Sequence, residues 1–196
     1  MTRLYIVRHG QTDWNAAGRI TTRTDRPLTT RGEEQARELG RFLTSRGVHF
    51  DAAFASSTQR ARRTAELALA QMGRADLTVI SEPLALEPDA GPFEGWTEPE
   101  IATDSGAQAW RAGEHIPGAE HDSDAVLRAL ELLENLSALA GNVLLVSHGH
   151  FIRLLIAHAV LDIPMGQSPR IKIRNGSPSI IELDGPRARL AALNQL

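Results

Sequence analysis

Two short apolar runs end in the same way. Residues 3–8 (RLYIVR) stop at His9-Gly10, and residues 142–147 (NVLLVS) stop at His148-Gly149. A continuous aliphatic run closed by glycine reads as a strand buried on both faces. Strands of that kind belong to parallel sheets covered by helices on both sides. The intervening segments agree. Thr30 and Glu33 form a capping box opening a helix over about residues 31–46, with Ala36, Leu39 and Leu43 on its apolar stripe and Gly47 at its end. Residues 52–55 and 77–80 read as further short strands, separated by a helix with Ala61, Ala65, Ala68 and Met72 on one face. Asp122 or Ser123 caps a helix bearing Val126, Leu130 and Leu133, and a last helix carries Ile152, Leu155, Ile156 and Ala159. Residues 170–174 and 179–183 read as a closing hairpin around Asn175-Gly176. Alternating strands and helices predict an α/β fold, a three-layer α/β/α sandwich with a mostly parallel sheet. The chain reads as one domain over residues 1–196, with a lid-like insert at about 82–121 that is rich in proline, glycine and acids.

Composition removes several classes of chemistry. There is no cysteine, which excludes disulfides, thiolate nucleophiles and zinc–cysteine sites. No apolar run approaches the roughly 20 residues of a membrane helix, and the N-terminus is too quickly charged for a signal peptide. A cytoplasmic protein with no membrane partner is expected. The net charge of −3 does not point to nucleic acid. Residues 1–64 nevertheless hold twelve Arg against six acids, while residues 82–134 hold thirteen acids against two Arg. The first third can therefore present a cationic pocket on a mildly acidic chain.

In open α/β sheets ligands bind beyond the carboxyl ends of the strands. His9 and His148 both sit there, each followed by a glycine that lets substrate approach the backbone. Arg8 beside His9 suggests an anion, because a guanidinium binds phosphate through paired hydrogen bonds. Arg60 opens the helix after the second strand and should share that edge. An ordinary helix-surface arginine is its alternative.

The string RHGQTDWN at 8–15 resembles the histidine phosphatase superfamily, the phosphoglycerate-mutase-like proteins. The blocks at 18–32 (GRITTRTDRPLTTRG), 56–65 (SSTQRARRTA), 84–96 (LALEPDAGPFEGW), 117–122 (PGAEHD) and 144–150 (LLVSHGH) are similar to further blocks of that family, in order. The resemblance implies that His9 is a nucleophile that becomes transiently phosphorylated, neutral when it attacks, with its other ring nitrogen donating to a backbone carbonyl. Arg8, Arg60, Asn15 and His148 would hold the phosphoryl oxygens, with Gly149 alongside and His148 as a cationic second donor. Glu87 would be the general acid. Glu94 and Asp89 are rivals, and Glu94 reads better as a structural carboxylate bound to backbone. The resemblance implies no metal and no cofactor.

Two departures bear on substrate. Arg23 stands where the family has a hydrophobic residue, and is expected to meet a second anionic group, unless it is a solvent-facing loop arginine. His121 replaces a serine and would either reach the leaving group or point to water. Phe93, Trp96 and Trp110 would wall the site or pack a core. The expected activity is that of a phosphoric monoester hydrolase acting on a small phosphorylated metabolite. Mutases of this kind resemble longer chains with more lid, so a short insert suggests access for water. The alternatives are cofactor-dependent phosphoglycerate mutase-type transfer and a non-catalytic phosphate-binding module. A homodimer is left open.

Overall fold

The computed structural model describes residues 1–165, 167 and 171–196. Strand β1 (Thr2–Arg8) is followed by α1 (Asp13–Ala16), α2 (Thr30–Ser45), β2 (Ala52–Ala55), α3 (Gln59–Gln71) and β3 (Val79–Ser81). Then come α4 (Glu98–Thr103), α5 (Ser105–Arg111), α6 (Asp122–Ser137), β4 (Gly141–Ser147), α7 (Gly149–Leu154), β5 (Pro178–Asp184) and β6 (Arg187–Ala192). The strands form one six-stranded sheet in the order β3-β2-β4-β1-β5-β6. The pairs β3·β2, β2·β4 and β4·β1 are parallel, and β1·β5 and β5·β6 are antiparallel. This is the mixed, mostly parallel α/β sandwich the alternating pattern predicts.

The two central strands show why the sheet is covered on both sides. Side chains along a strand alternate between faces. Leu4 and Ile6 of β1, with Val143 and Leu145 of β4, pack against Ala129, Leu132 and Leu136 of α6 and against Phe151 and Ile152 of α7. Tyr5, Val7, Leu144 and Val146 pack on the other face, against Leu39 and Leu43 of α2 and Ala61, Ala65 and Ala68 of α3. Full burial of each large aliphatic side chain stabilises the fold by about 1.5–3 kcal/mol. With β1 and β4 hydrogen-bonded in register, Arg8 lies opposite Ser147, so His9 and His148 leave the sheet side by side. Among the described residues no helix is long and apolar enough to cross a membrane.

Several boundaries differ from expectation. Thr29, not Thr30, caps α2, its hydroxyl accepting from the Gly32 amide at 3.0 Å. His121 caps α6 in place of Asp122 or Ser123. The third strand is Val79–Ser81. The closing hairpin is formed by β5 and β6 around Gly185-Pro186. Of the strand expected at 170–174, Arg170 lies outside the described residues and residues 171–174 form no strand. Asn175 pairs instead with Arg8 and donates its side-chain Nδ2 to the His9 carbonyl at 2.7 Å. A turn-favouring Asn-Gly pair is thus used to brace the end of β1. The insert contains two short helices, α4 and α5, and a small core of its own: Ala90, Phe93, Ile101 and Ala107, joined by Ile20, Trp96, Trp110 and Ile116. Phe93, Trp96 and Trp110 therefore pack the insert, the Trp96 and Trp110 ring centroids lying 5.3 and 5.2 Å from that of Phe93.

Candidate active site

His9 follows β1 directly, its amide donating to the Ser147 carbonyl at 2.9 Å. The next residue has no room for a side chain, because a Cβ on Gly10 would collide with the Gly32 carbonyl. This backbone-to-backbone contact seats the His9 loop on the start of α2. The Gly10 amide donates to Thr64 Oγ1 at 3.0 Å, and the Thr64 hydroxyl donates in turn to the Arg60 carbonyl at 2.7 Å. The His9 ring is only 3% exposed. Its Nδ1 lies 2.7 Å from the Gly10 carbonyl oxygen, an atom that can only accept. Nδ1 therefore carries the proton and Nε2 presents its lone pair. Burial, then the positive charges of Arg60 and Arg8, hold the His9 pKa well below the ordinary value, against a smaller opposing pull from the Gly10 carbonyl. The ring is neutral, as a nucleophile requires.

Arg60 occupies the second position of α3 and is fully buried. Its Nη1 donates to the Thr24 carbonyl at 3.0 Å and its Nη2 to the Thr22 carbonyl at 2.8 Å. Those two residues are held from the other side by Glu94, whose carboxylate accepts from the Thr22 amide at 2.9 Å, the Thr24 amide at 2.9 Å and the Thr22 hydroxyl. Glu94 is thus the structural carboxylate expected, and its use is specific: it fixes the carbonyls that fix Arg60. Asp25 accepts from the Gln59 amide at 2.6 Å and lies 3.4 Å from Arg60 Nη1. It supplies the cap for α3 that Thr58 does not give.

His148 lies beside His9, with ring centroids 5.2 Å apart. Arg60 Nη2 is 3.2 Å from His148 Nδ1 and Ser56 Oγ is 2.7 Å from its Nε2. A guanidinium can only donate, so Nδ1 holds the lone pair and Nε2 donates to Ser56. Burial, then the proximity of His9 and of the Arg60 and Arg8 charges, push the His148 pKa well below the ordinary value. The expectation of a cationic His148 is therefore corrected: the ring is neutral and serves as an acceptor for Arg60.

Arg8 turns its guanidinium against Gly149, where a Cβ would sit 3.1 Å from Nε, and its Nη1 donates to the Ile173 carbonyl at 3.0 Å. Burial lowers the pKa of both arginines from the usual value, while Glu87 pulls Arg8 back and Asp25 and Glu87 pull Arg60 back. Arginine stays charged through such shifts. Both keep a buried Nε–H with no partner among the described residues. Buried donors are rarely left unpaired, and the exceptions call for a ligand or a function.

Glu87 accepts from the His150 amide at 3.1 Å and the Phe151 amide at 2.9 Å, which ties it to the start of α7. Of the three rival acids, Glu87 is the one whose charge acts on both Arg8 and Arg60 and is not consumed by an ion pair. Asp89 is paired with Arg23 at 3.0 Å. Asn15 closes a capping box at α1, its Oδ1 accepting from the Thr12 amide at 3.3 Å. Arg23 is held by Asp89 and, at 3.4 Å, by Glu120. His121 is held within the fold: its Nδ1 accepts from the Ser123 amide at 3.2 Å and its Nε2 lies 3.0 Å from the Gly113 carbonyl. It joins the insert to α6. Sequence reasoning missed Ser56, Thr64, Asp25 and Asn175, each of which orients a site residue across a long stretch of chain.

Two buried neutral histidines set a pH dependence of stability. Above pH of about 6.5 neither folded nor unfolded rings hold an extra proton. Below it the unfolded rings bind protons that the folded rings refuse, so each site costs about 1.4 kcal/mol per pH unit until its folded pKa is reached. Stability should fall as pH drops from 6.5 toward 5. Urea titrations of His148→Gln over that window should show a slope shallower by close to one proton. An unaltered slope would reject the neutral assignment.

The profile of the histidine phosphatase superfamily (branch 1) matches residues 4–196. The chain is 35% identical over 192 residues to a 2,3-bisphosphoglycerate-dependent phosphoglycerate mutase of Methylobacterium radiotolerans, covering 92% of this chain and 89% of that one. Among solved structures it resembles YhfR of Bacillus stearothermophilus, with a TM-score of 0.88, 29% identity and coverage of 100% and 98% of the two chains. It also resembles the alpha-ribazole phosphatase of Shigella flexneri, with a TM-score of 0.85, 30% identity and coverage of 98% and 96%.

Proposed function

The chain belongs to the histidine phosphatase superfamily, branch 1, and from that premise we propose that it hydrolyses small phosphate monoesters through a phosphohistidine formed on His9. The observation that carries this reading is the neutral His9 ring, its Nε2 lone pair free, beside two guanidiniums that each keep an orphaned buried Nε–H. Phosphoryl transfer needs little covalent help from the protein. It needs an in-line nucleophile and fixed positive charge around the equatorial oxygens.

In the first step His9 Nε2 bonds to phosphorus as the ester P–O bond breaks. The proton stays on Nδ1, donated to the Gly10 carbonyl, and Glu87, in the protonated form that a general acid requires, gives its proton to the leaving oxygen. In the second step water attacks phosphorus, its proton passes to the Glu87 carboxylate, and the N–P bond breaks. Phosphate leaves, and both groups regain their starting protonation. Arg8, Arg60 and the Asn15 amide surround the PO3 group through both steps. His148, held by Ser56, fixes the plane of Arg60 and acts through it.

Mutase-type transfer is the second reading, favoured by the name of the Methylobacterium relative. Insert length does not separate the two activities, because that relative is matched over 89% of its length. What favours hydrolysis is the charge on the substrate side of the site. Arg23 is engaged by Asp89 and Glu120, and Arg128 by Glu120 at 2.7 Å. A mutase must retain a doubly phosphorylated carboxylate and has use for unmatched cations there. The test supplies 3-phosphoglycerate with a trace of 2,3-bisphosphoglycerate, alongside a panel of phosphate monoesters. Phosphate release from esters, with no 2-phosphoglycerate formed, is expected. Isomerisation outpacing phosphate release would overturn the hydrolase reading in favour of the mutase.

A further inference from the structure

A cavity of about 410 Å³ is lined chiefly by Arg23, Pro83, Leu86, Asp89, Glu120 and Arg128, with none of Arg8, His9, Arg60, Glu87 or His148 in its wall. This volume is within the roughly 300–1,000 Å³ of small-molecule sites. Its lining residues are chain neighbours of site residues. Leu86 and Asp89 flank Glu87 in sequence. Arg23 lies between Thr22 and Thr24, whose carbonyls grip Arg60. The Arg23 charge is also felt at His148. A leaving group departing past Glu87 would enter this space.

The lining is neutral in sum and already knitted together. Arg23 Nε donates to Asp89 at 3.0 Å and its Nη2 to Glu120 at 3.4 Å, while Arg128 Nε donates to the other Glu120 oxygen at 2.8 Å. Asp89 and Glu120 also join through backbone: the Glu120 amide donates to the Asp89 carbonyl at 2.8 Å and the Asp89 amide to the Glu120 carboxylate at 3.2 Å. Arg128 is fixed further by the Leu84 and Leu86 carbonyls.

An anionic leaving group would have to displace Asp89 or Glu120 from Arg23. An ammonium group would have to displace Arg23 from the same acids. Either exchange trades one partly exposed ion pair for another, with no gain in pairing to offset the desolvation of the incoming charge. A hydroxyl breaks nothing. It can accept from a spare guanidinium N–H and donate to a spare carboxylate lone pair, since each carboxylate has about four acceptor sites. Pro83 and Leu86 supply an apolar wall for C–H groups.

We propose that this cavity is the leaving-group subsite and that it selects phosphate monoesters of uncharged, hydroxyl-rich alcohols, with the Arg23–Asp89–Glu120–Arg128 network as the specificity determinant. The inference rests on the phosphatase reading and replaces the expectation that Arg23 meets a second substrate anion.

The test compares kcat/KM for glucose 6-phosphate with that for 3-phosphoglycerate, and uses p-nitrophenyl phosphate to report the phosphoryl site by itself. The ratio within one enzyme cancels changes in folded fraction or in the phosphoryl site. In the wild type it should exceed about tenfold in favour of the sugar ester. Glu120→Gln frees Arg23 and Arg128 from one carboxylate and should lower the ratio by about tenfold. Asp89→Asn should move it in the same direction, and serves if the first variant fails to fold. A wild-type ratio below tenfold, or one that neither variant lowers, overturns the proposal while p-nitrophenyl phosphate is still hydrolysed. Absence of phosphate release from all three esters would instead remove the phosphatase reading, and this inference with it.

Discussion

His9→Ala should lose about 10⁴-fold or more in turnover of any accepted ester, equivalent to about 5.5 kcal/mol of transition-state stabilisation. The size of the effect follows from what remains. Arg8 and Arg60 would still attract a phosphate ester, so KM should change far less than kcat. The neighbouring imidazole offers no free lone pair in its place: His148 Nδ1 is turned to Arg60 and its Nε2 donates to Ser56. The variant removes a buried ring that makes a bond to the Gly10 carbonyl, so some loss of stability accompanies the loss of activity. His9→Asn separates the two, because its amide can donate near the former Nδ1 position but cannot form a phosphoryl adduct that turns over. Mixing wild type with a labelled ester and quenching in alkali, where a phosphohistidine survives, should trap label on the protein. Neither variant should trap any. Retention of most turnover in His9→Ala would refute the nucleophile.

The site was readable in the sequence where function is carried by strand ends and poorly readable where it is carried by contacts across the chain. The repeated apolar run before His-Gly placed β1 and β4, and their in-register pairing put His9 next to His148. Arg60 was legible because a helix must begin soon after β2. Glu94 was correctly read as a structural carboxylate, though nothing local says that its partners are Thr22 and Thr24, 72 and 70 residues away. Ser56, Thr64, Asp25 and Asn175 are small polar residues that in isolation look like caps, turns or surface. Only the folded chain shows that Ser56 accepts from a histidine 92 residues away, whose tautomer Arg60 sets. The helices of the insert leave no clear period in the sequence, because α4 and α5 have only six and seven residues. The charge of Arg23 was visible and its neutralisation was not, since its partners Asp89 and Glu120 are 66 and 97 residues distant.

Arg60→Ala should be the most damaging change outside the nucleophile, in stability and in catalysis together. Arg60 is a fully buried charge that would be costly to bury without partners, and its partners are the carbonyls of Thr22 and Thr24, the Asp25 carboxylate and His148 Nδ1. Truncation takes a donor from the Thr22 carbonyl and from His148 Nδ1, both in the interior. Loss of one partner from such a buried ionic network costs about 3–5 kcal/mol. It also removes a donor fixed before substrate arrives, which is the condition under which one hydrogen-bond donor contributes about 10²–10³-fold to rate. Urea midpoints should fall accordingly, and kcat/KM at a temperature where the variant remains folded should drop by about 10²–10³-fold. Arg60→Lys discriminates between the two losses. A single ammonium preserves the charge and can satisfy some of the carbonyls, so part of the stability should return. It cannot reach Thr22, Thr24 and His148 and still keep a planar N–H turned to the phosphoryl group, so activity should recover little. If Arg60→Lys restored activity in proportion to stability, the guanidinium would be only a pillar of the fold, and the phosphoryl group would have to be held by Arg8 alone.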